Sequence, residues 1–109
     1  MPYNEPLAER IRKELKSRKG ISERKMFGGI CFMKNGNMAF GIESNRLMVR
    51  VGPKKYEECL KRPHARVMDF TGRPLKGFIF VSEKGFKTPV SLRKWIELGM
   101  NFAGSLPVK

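Results

Sequence analysis

The segment that most constrains the fold runs from residue 25 to residue 40, where two apolar stretches flank the dipeptide Asn35-Gly36. Asn-Gly is a strong hairpin signal, because both residue types tolerate the positive φ angles of a tight two-residue turn. Residues 30–33 and 38–42 are therefore predicted to pair as antiparallel strands. Gly28-Gly29, just before the first of these strands, predicts a bulge or a sharp bend.

Further strand patterns follow the hairpin. Residues 46–51 alternate between aliphatic side chains and Arg or Met, which predicts a half-buried strand with one basic face. Residues 65–70 alternate more loosely, and residues 78–81 are aromatic and β-branched, so both segments favour an extended conformation. Residues 25–27 are interpreted as a short strand or the entry to one.

Three segments have the periodicity of amphipathic helices. Residues 5–18 follow Asn4, a good N-cap, and residues 53–61 begin with a proline. The last helix is predicted from Pro89 to about residue 103, with Thr88 as its cap. Because strands and helices are grouped, the prediction is an α+β two-layer sandwich with an antiparallel sheet of about five strands and helices at the N-terminus, middle and C-terminus. The length of the chain predicts one domain, residues 1–109.

The charge predicts anionic partners. The chain has 23 Lys and Arg residues against 10 Asp and Glu residues, a formal net charge of +13. Such a charge attracts polyanions. Nucleic acid is the leading candidate partner, and an acidic protein or an anionic lipid surface is a weaker candidate. The alternative interpretation is a solvated surface with a high pI. No zinc finger, basic zipper or RNP motif is present, so any nucleic-acid contact is expected to be to phosphates.

Cations of the first two helices form the candidate binding patch if the helix faces adjoin. The candidate residues are Arg10, Lys13, Lys16, Lys54, Lys55, Lys61, Arg62 and Arg66. The alternative is that they lie on separate solvated faces. The many methionines and phenylalanines are expected to fill the core, or in part to form an exposed, adaptable binding face.

Residues that could carry chemistry are few. Cys31 and Cys59 are not in a Cys-x-x-Cys arrangement, and His64 is the one histidine. Both cysteines are expected to be small buried or half-buried hydrophobes and His64 a surface-loop residue, with no metal site, no cofactor and no catalytic set. No apolar run is long enough to span a bilayer and no secretory signal is visible, so a cytoplasmic location without membrane contact is expected.

Several of these motifs resemble the N-terminal domain of TfoX/Sxy competence regulators. The resemblance covers about residues 8–103, and its most specific parts are a Met-Phe-Gly-Gly element and a Gly-Arg-Pro-x-x-Gly-aromatic element. The residues that carry it are Met26, Phe27, Gly28, Gly29, Gly72, Pro74, Gly77 and Trp95.

The resemblance implies a curved antiparallel sheet with helices packed on it, similar to secretion-chaperone-like domains. It also implies a bacterial, non-enzymatic regulator of transcription linked to competence, without defined catalytic or ligand residues. Those regulators carry a second, C-terminal domain, whereas this sequence ends at Lys109, so a stand-alone N-terminal domain is expected. The expected function is a regulatory or adaptor role through protein contacts. Binding of nucleic acid and formation of a homodimer are further candidate interactions. The alternative is sequence-nonspecific nucleic-acid binding through a basic surface.

Overall fold

The computed structural model describes residues 4–16, 18–26, 29–69 and 74–107, with the side chains of residues 26, 69 and 74–76 outside the description. It shows an α+β fold of three α-helices and six strands. Along the chain the elements are α1 (Glu5–Leu15), β1 (Ile21–Met26), β2 (Gly29–Lys34), β3 (Asn37–Glu43), β4 (Arg46–Arg50), α2 (Tyr56–Leu60), β5 (Ala65–Asp69), β6 (Pro74–Val81) and α3 (Pro89–Gly104).

The strands form one antiparallel sheet in the order β1-β2-β3-β4-β6-β5. The sequence predicted about five strands, and the additional length is in β1, which begins at Ile21 instead of residue 25. Register shifts occur between Phe32 and Met33 and between Val67 and Asp69. Shifts of this kind bend and twist strands locally.

The predicted hairpin is confirmed. Lys34 pairs with Asn37, which leaves Asn35 and Gly36 as a two-residue loop with φ angles of 53° and 83°. Both angles are positive, as the type I′ turn requires. The backbone N–H of Asn35 also donates to the Gly20 carbonyl at 2.9 Å, which ties the hairpin to the connection between α1 and β1.

The predicted N-caps are also confirmed. The Asn4 side chain accepts a hydrogen bond from the backbone N–H of Leu7 at 3.1 Å, and Thr88 forms a capping box with Ser91. Both caps satisfy backbone donors that the first turn of a helix leaves without partners. The ends are less well predicted, because α1 stops at Leu15 rather than residue 18 and α2 starts three residues later than expected.

All three helices bury their apolar sides against one face of the sheet. The stacked rings of Phe32 and Phe40, with centroids 5.0 Å apart, lie in this core. The helices contribute mainly aliphatic side chains to it, together with two aromatic residues: Leu7, Ala8, Ile11, Leu15, Tyr56, Cys59, Leu92, Trp95, Ile96, Met100 and Ala103.

The opposite face of the sheet carries a second buried cluster. It consists of Cys31, Met33, Met38, Met48, Met68 and Phe80. The five methionines whose side chains the structure describes are all buried, four in this cluster and Met100 in the main core. The alternative of an exposed methionine face therefore does not hold for these residues, and the large hydrophobic side chains exposed in the described chain are Val67 and Val90.

Helix α3 approaches the sheet most closely at Gly99. A Cβ atom at this position would overlap the backbone carbonyl oxygen of Ala39 in β3 and touch the Phe40 side chain. Gly99 therefore allows the helix axis to lie nearer to β3 than any other residue would. Gly104, at the other end of the last turn, faces open space with only Lys34 Cγ 4.0 Å away.

We expect Gly99→Ala to destabilise the fold although alanine is the better helix former. The intrinsic gain of up to about 1 kcal/mol is outweighed by the overlap with backbone, which costs roughly 1–3 kcal/mol or more. Gly104→Ala is the matched control and should be neutral or stabilising by about 0.5 kcal/mol. Urea unfolding monitored by circular dichroism measures both, and a Gly99→Ala variant as stable as the parent would contradict this packing.

Candidate polyanion-binding groove

Arginine residues neutralise most of the acidic side chains. Six of the ten acidic residues take part in ion pairs within the described chain, and the cation is an arginine in each pair. The pairs are Arg12 with Glu5, Glu9 and Glu23, Arg18 with Glu97, Arg46 with Glu43, and Arg93 with Glu14. Lysine takes part in none of the ion pairs among the residues described. Apart from Lys34, whose ammonium donates to the Lys19 carbonyl at 2.7 Å, the exposed lysines described can therefore contact a partner.

Two of these pairs lower the pKa of the carboxyl group. The hydrogen bond from Arg93 holds the pKa of Glu14 below its ordinary value, and the hydrogen bond from Arg12 does the same for Glu23. Both glutamates therefore stay ionised at neutral pH and remain bound to their arginines. A carboxyl group whose pKa is lower in the folded than in the unfolded chain stabilises the fold at every pH above the unfolded pKa. For these glutamates the stabilisation is therefore lost only as the pH falls below about 4.

Helix α3 lies between α1 and α2. On one flank, Arg93 Nε donates to Glu14 of α1 at 2.9 Å, and Glu97 pairs with Arg18 just beyond the end of α1. On the other flank, the Arg62 guanidinium, which follows α2, lies 5.4 Å from the centroid of the Trp95 ring. Residues 93 and 97 are four apart and share one side of the helix, as the i, i+4 rule requires.

The candidate cations therefore fall into two groups on opposite flanks of α3. Lys13 and Lys16 are exposed on α1, whereas the Arg10 guanidinium donates to the carbonyl groups of Phe86 and Lys87 at 3.3 and 3.4 Å. Arg10 thus fixes α1 to the loop before α3. In the second group the exposed residues are Lys54, Lys55, Lys61, Arg62 and Arg66.

Part of the second group lines a groove along α3. One section, of about 540 Å³, is lined by Arg62, Val90, Arg93, Lys94, Glu97, Leu98 and Asn101. A second section, of about 300 Å³, shares Leu98 and Asn101 and is further lined by Val51, Pro53, Lys54, Lys55, Phe102 and Ser105. These two sections together are called the α3 groove below. Lys61 lines neither section, and Arg66 is on β5 opposite Phe80, a member of the second cluster.

The groove combines positive walls with an apolar floor. The Arg62 guanidinium is held over Trp95, whose indole N–H donates to the Gly85 carbonyl at 3.0 Å. Lys54, Lys55 and Lys94 are exposed, and the one acidic residue that lines the groove, Glu97, is already paired with Arg18. The local field is therefore positive, while Leu98 and Phe102 offer half-buried apolar surface.

Sequence reasoning did not place Val90, Lys94 or Leu98 in a site. Residues 90, 94 and 98 recur every four positions and therefore lie near one another along one side of α3. Two aliphatic residues around a lysine at this spacing on a polar face are the signal that could have indicated the groove.

The motif residues have structural roles where they are described. The Gly77 carbonyl, at a φ of 93°, accepts from the N–H groups of Val51 and Gly52 at 2.8 and 3.1 Å. Gly29 opens β2, where a Cβ atom would overlap the carbonyl oxygen of Ile42. Trp95 is buried. Met26 ends β1 and Pro74 begins β6, whereas Phe27, Gly28 and Gly72 lie outside the described residues, as does part of the bend predicted at Gly28-Gly29.

The cysteines and the histidine lie where the sequence predicted. Cys31 and Cys59 are both buried. Burial raises the pKa of Cys31 to about 11 and also raises the pKa of Cys59. His64 is exposed, with a φ of 69°, in the connection between α2 and β5. The described chain contains no group of three or more His, Cys, Asp or Glu residues that could bind a metal ion. None of its helices combines the length and hydrophobicity that a membrane span requires.

We expect Cys31 to resist alkylation in the folded protein. With a pKa of about 11, two units above the ordinary value of 9.0, its thiolate fraction at pH 8 is about 100-fold lower than that of an unshifted thiol. Labelling with iodoacetamide, followed by peptide mass spectrometry, measures the rate at each cysteine, and the urea-unfolded chain is the control. Equal labelling rates in the folded and unfolded protein would contradict the burial of this thiol.

A family model described as the TfoX N-terminal domain matches residues 13–103. The match includes α2, the whole sheet and α3 up to residue 103, and therefore every residue of the α3 groove except Ser105. Comparison with curated proteins and with solved structures gave no match.

Proposed function

Because the chain belongs to the TfoX N-terminal domain family, we propose that it is a regulatory or adaptor domain that acts by binding another protein. The observation that carries this proposal is the α3 groove, where exposed cations surround an apolar floor. A surface used only for solubility needs no exposed apolar side chain such as Val90 among its cations. Mixed apolar and charged surface is typical of protein interfaces.

The proposed action involves no catalysis. The pKa shifts of the thiols come from burial and those of Glu14 and Glu23 from ion pairs, and structural contacts of both kinds occur far from any active site. The proposed location is the cytoplasm, where regulators of transcription act and where cysteines remain reduced. The proposed process is regulation of transcription or competence, on the basis of the family resemblance alone.

Nucleic-acid binding is the second candidate, and the unpaired lysines favour it. Lys54, Lys55 and Lys94 line the groove, and further lysines are exposed elsewhere on a chain of net charge +13. Lysines contact phosphates without reading sequence. Binding releases counterions from the nucleic acid, and because this release gains less entropy at higher salt, the affinity falls as the salt concentration rises. This candidate predicts capture of DNA or RNA of any sequence.

Affinity capture from the source cell distinguishes the two functions. With the immobilised chain at about 150 mM salt, where surface charges are screened beyond about 8 Å, we expect a protein to be retained after treatment with DNase and RNase. Soluble chain added in excess should release it, because specific binding saturates. The control resin carries an unrelated basic protein.

Loss of all retained protein after nuclease treatment would contradict the adaptor function and support the second candidate. Retention of nothing before nuclease treatment would contradict both. Equal retention of the same protein on the control resin would show that net charge alone caused its capture, which also contradicts the proposal.

A further inference from the structure

We propose that the α3 groove binds an acidic amphipathic helix of a partner protein. The inference rests on the proposed function and specifies the chemistry of the partner. It follows from the spacing of the apolar residues in the groove, from the cations at its edges and from the exclusion of two other occupants.

The apolar floor has the dimensions of a short helix. Val90, with 59% of its surface exposed, lies at one end, Leu98 in the middle and Phe102 toward the other end. Residues 90 and 102 are twelve positions apart on α3, which corresponds to about 18 Å at 1.5 Å per residue. A partner helix of three to four turns that presents apolar residues at i, i+4 and i+7 would cover this floor, the usual mode of helix-in-groove recognition.

The cations predict acidic residues beside those apolar anchors. Arg62 and Lys94 line the Val90 section, and Lys54 and Lys55 line the Phe102 section. The Arg62 guanidinium lies over the Trp95 ring, 5.4 Å from its centroid, and its planar group can bind a carboxylate through two hydrogen bonds. Glutamates on both edges of the partner helix would therefore meet positive charge along the whole groove.

A second copy of the chain and a nucleic acid fit the groove less well. Two copies would bring the same cations face to face, each on a chain of net charge +13, and like charges at an interface are unfavourable. A nucleic acid would set phosphates over Val90 and Leu98. The aromatic ring in the groove, Phe102, is half-buried, packs against Gly52 and has the Arg50 guanidinium 5.2 Å from its centroid, so it is poorly placed for base stacking.

The probe is a fluorescein-labelled 18-residue peptide of Leu, Ala and Glu, with Leu at positions i, i+4, i+7 and i+11 and Glu on both edges. The control peptide has the same composition in scrambled order. Fluorescence anisotropy with the full chain should show saturable binding of the designed peptide and at least about tenfold weaker binding of the control, since loss of two buried apolar anchors is worth about 1.4 kcal/mol or more.

The variants separate the groove from the overall charge. Lys94→Glu is expected to weaken peptide binding about tenfold or more, as reversal of a charge-assisted contact does. Lys13→Glu makes the same change in net charge at an exposed residue of α1 that lines neither section of the groove. It should change binding by less than about threefold, because an exposed charge that does not touch the peptide acts on it only through screened solvent. Leu98→Lys adds positive charge yet should weaken binding, because it removes the central apolar contact.

Several outcomes would overturn this inference. They are the absence of binding by the parent chain, equal affinity for the scrambled peptide, equal losses for Lys94→Glu and Lys13→Glu, and tighter binding by Leu98→Lys. A 20-base-pair DNA duplex that binds in place of the peptide and is weakened by Lys94→Glu would reassign the groove to nucleic acid. Circular dichroism and thermal unfolding confirm that each variant is folded.

Failure of this inference is distinguishable from failure of the proposed function. The parent chain, Lys94→Glu and Leu98→Lys could all capture the same partner protein equally well after nuclease treatment. That result would refute the groove as the binding site and leave the adaptor function intact. The capture of no partner at all would refute the adaptor function, whatever the designed peptide does.

Discussion

The close contact between α3 and β3 at Gly99 determines the arrangement of the helices. Because Gly99 has no side chain, the α3 backbone rests against the Ala39 carbonyl and buries Leu92, Ile96 and Ala103 in the main core. With α3 fixed in the middle of the helix layer, α1 meets one of its flanks through Arg93 and Glu14, and the segment around α2 meets the other. The α3 groove runs along the side of α3 that neither neighbour covers, from Arg93 and Glu97 to Arg62 and the segment before α2.

The positive charge of the surface follows from the different roles of arginine and lysine in this fold. Arginine forms every ion pair found among the described residues and also packs on aromatic rings, as Arg46 does 3.6 Å from the Phe80 centroid. The planar guanidinium suits both contacts, whereas the lysine ammonium is a mobile and strongly hydrated point charge. Six of the ten acidic residues pair with arginines within the fold, and lysines carry most of the positive charge that these pairs leave uncompensated. In the groove, Arg62 and Lys94 show the two roles side by side.

Local features were predictable from the sequence and spatial neighbours were not. The Asn35-Gly36 turn and the caps at Asn4 and Thr88 depend on residues within four positions, so their chemistry is visible in the sequence. The full length of β1 was missed because residues 22–25 are polar and exposed, and its pairing with β2 creates the strand. That α3 lies between the cations of α1 and those near α2 depends on contacts between residues some 80 positions apart, such as Glu14 and Arg93, which periodicity does not encode.

The central claim is that the uncompensated positive charge and the apolar floor of the α3 groove together form the binding surface of this domain. Backbone amide NMR spectra recorded during titration with the acidic amphipathic peptide test it most directly. We predict that shift changes concentrate at residues 51–62 and 90–105, which include both sections of the groove. Changes concentrated on α1 or on the strands that carry the methionine cluster, with residues 90–105 unaffected, would contradict it.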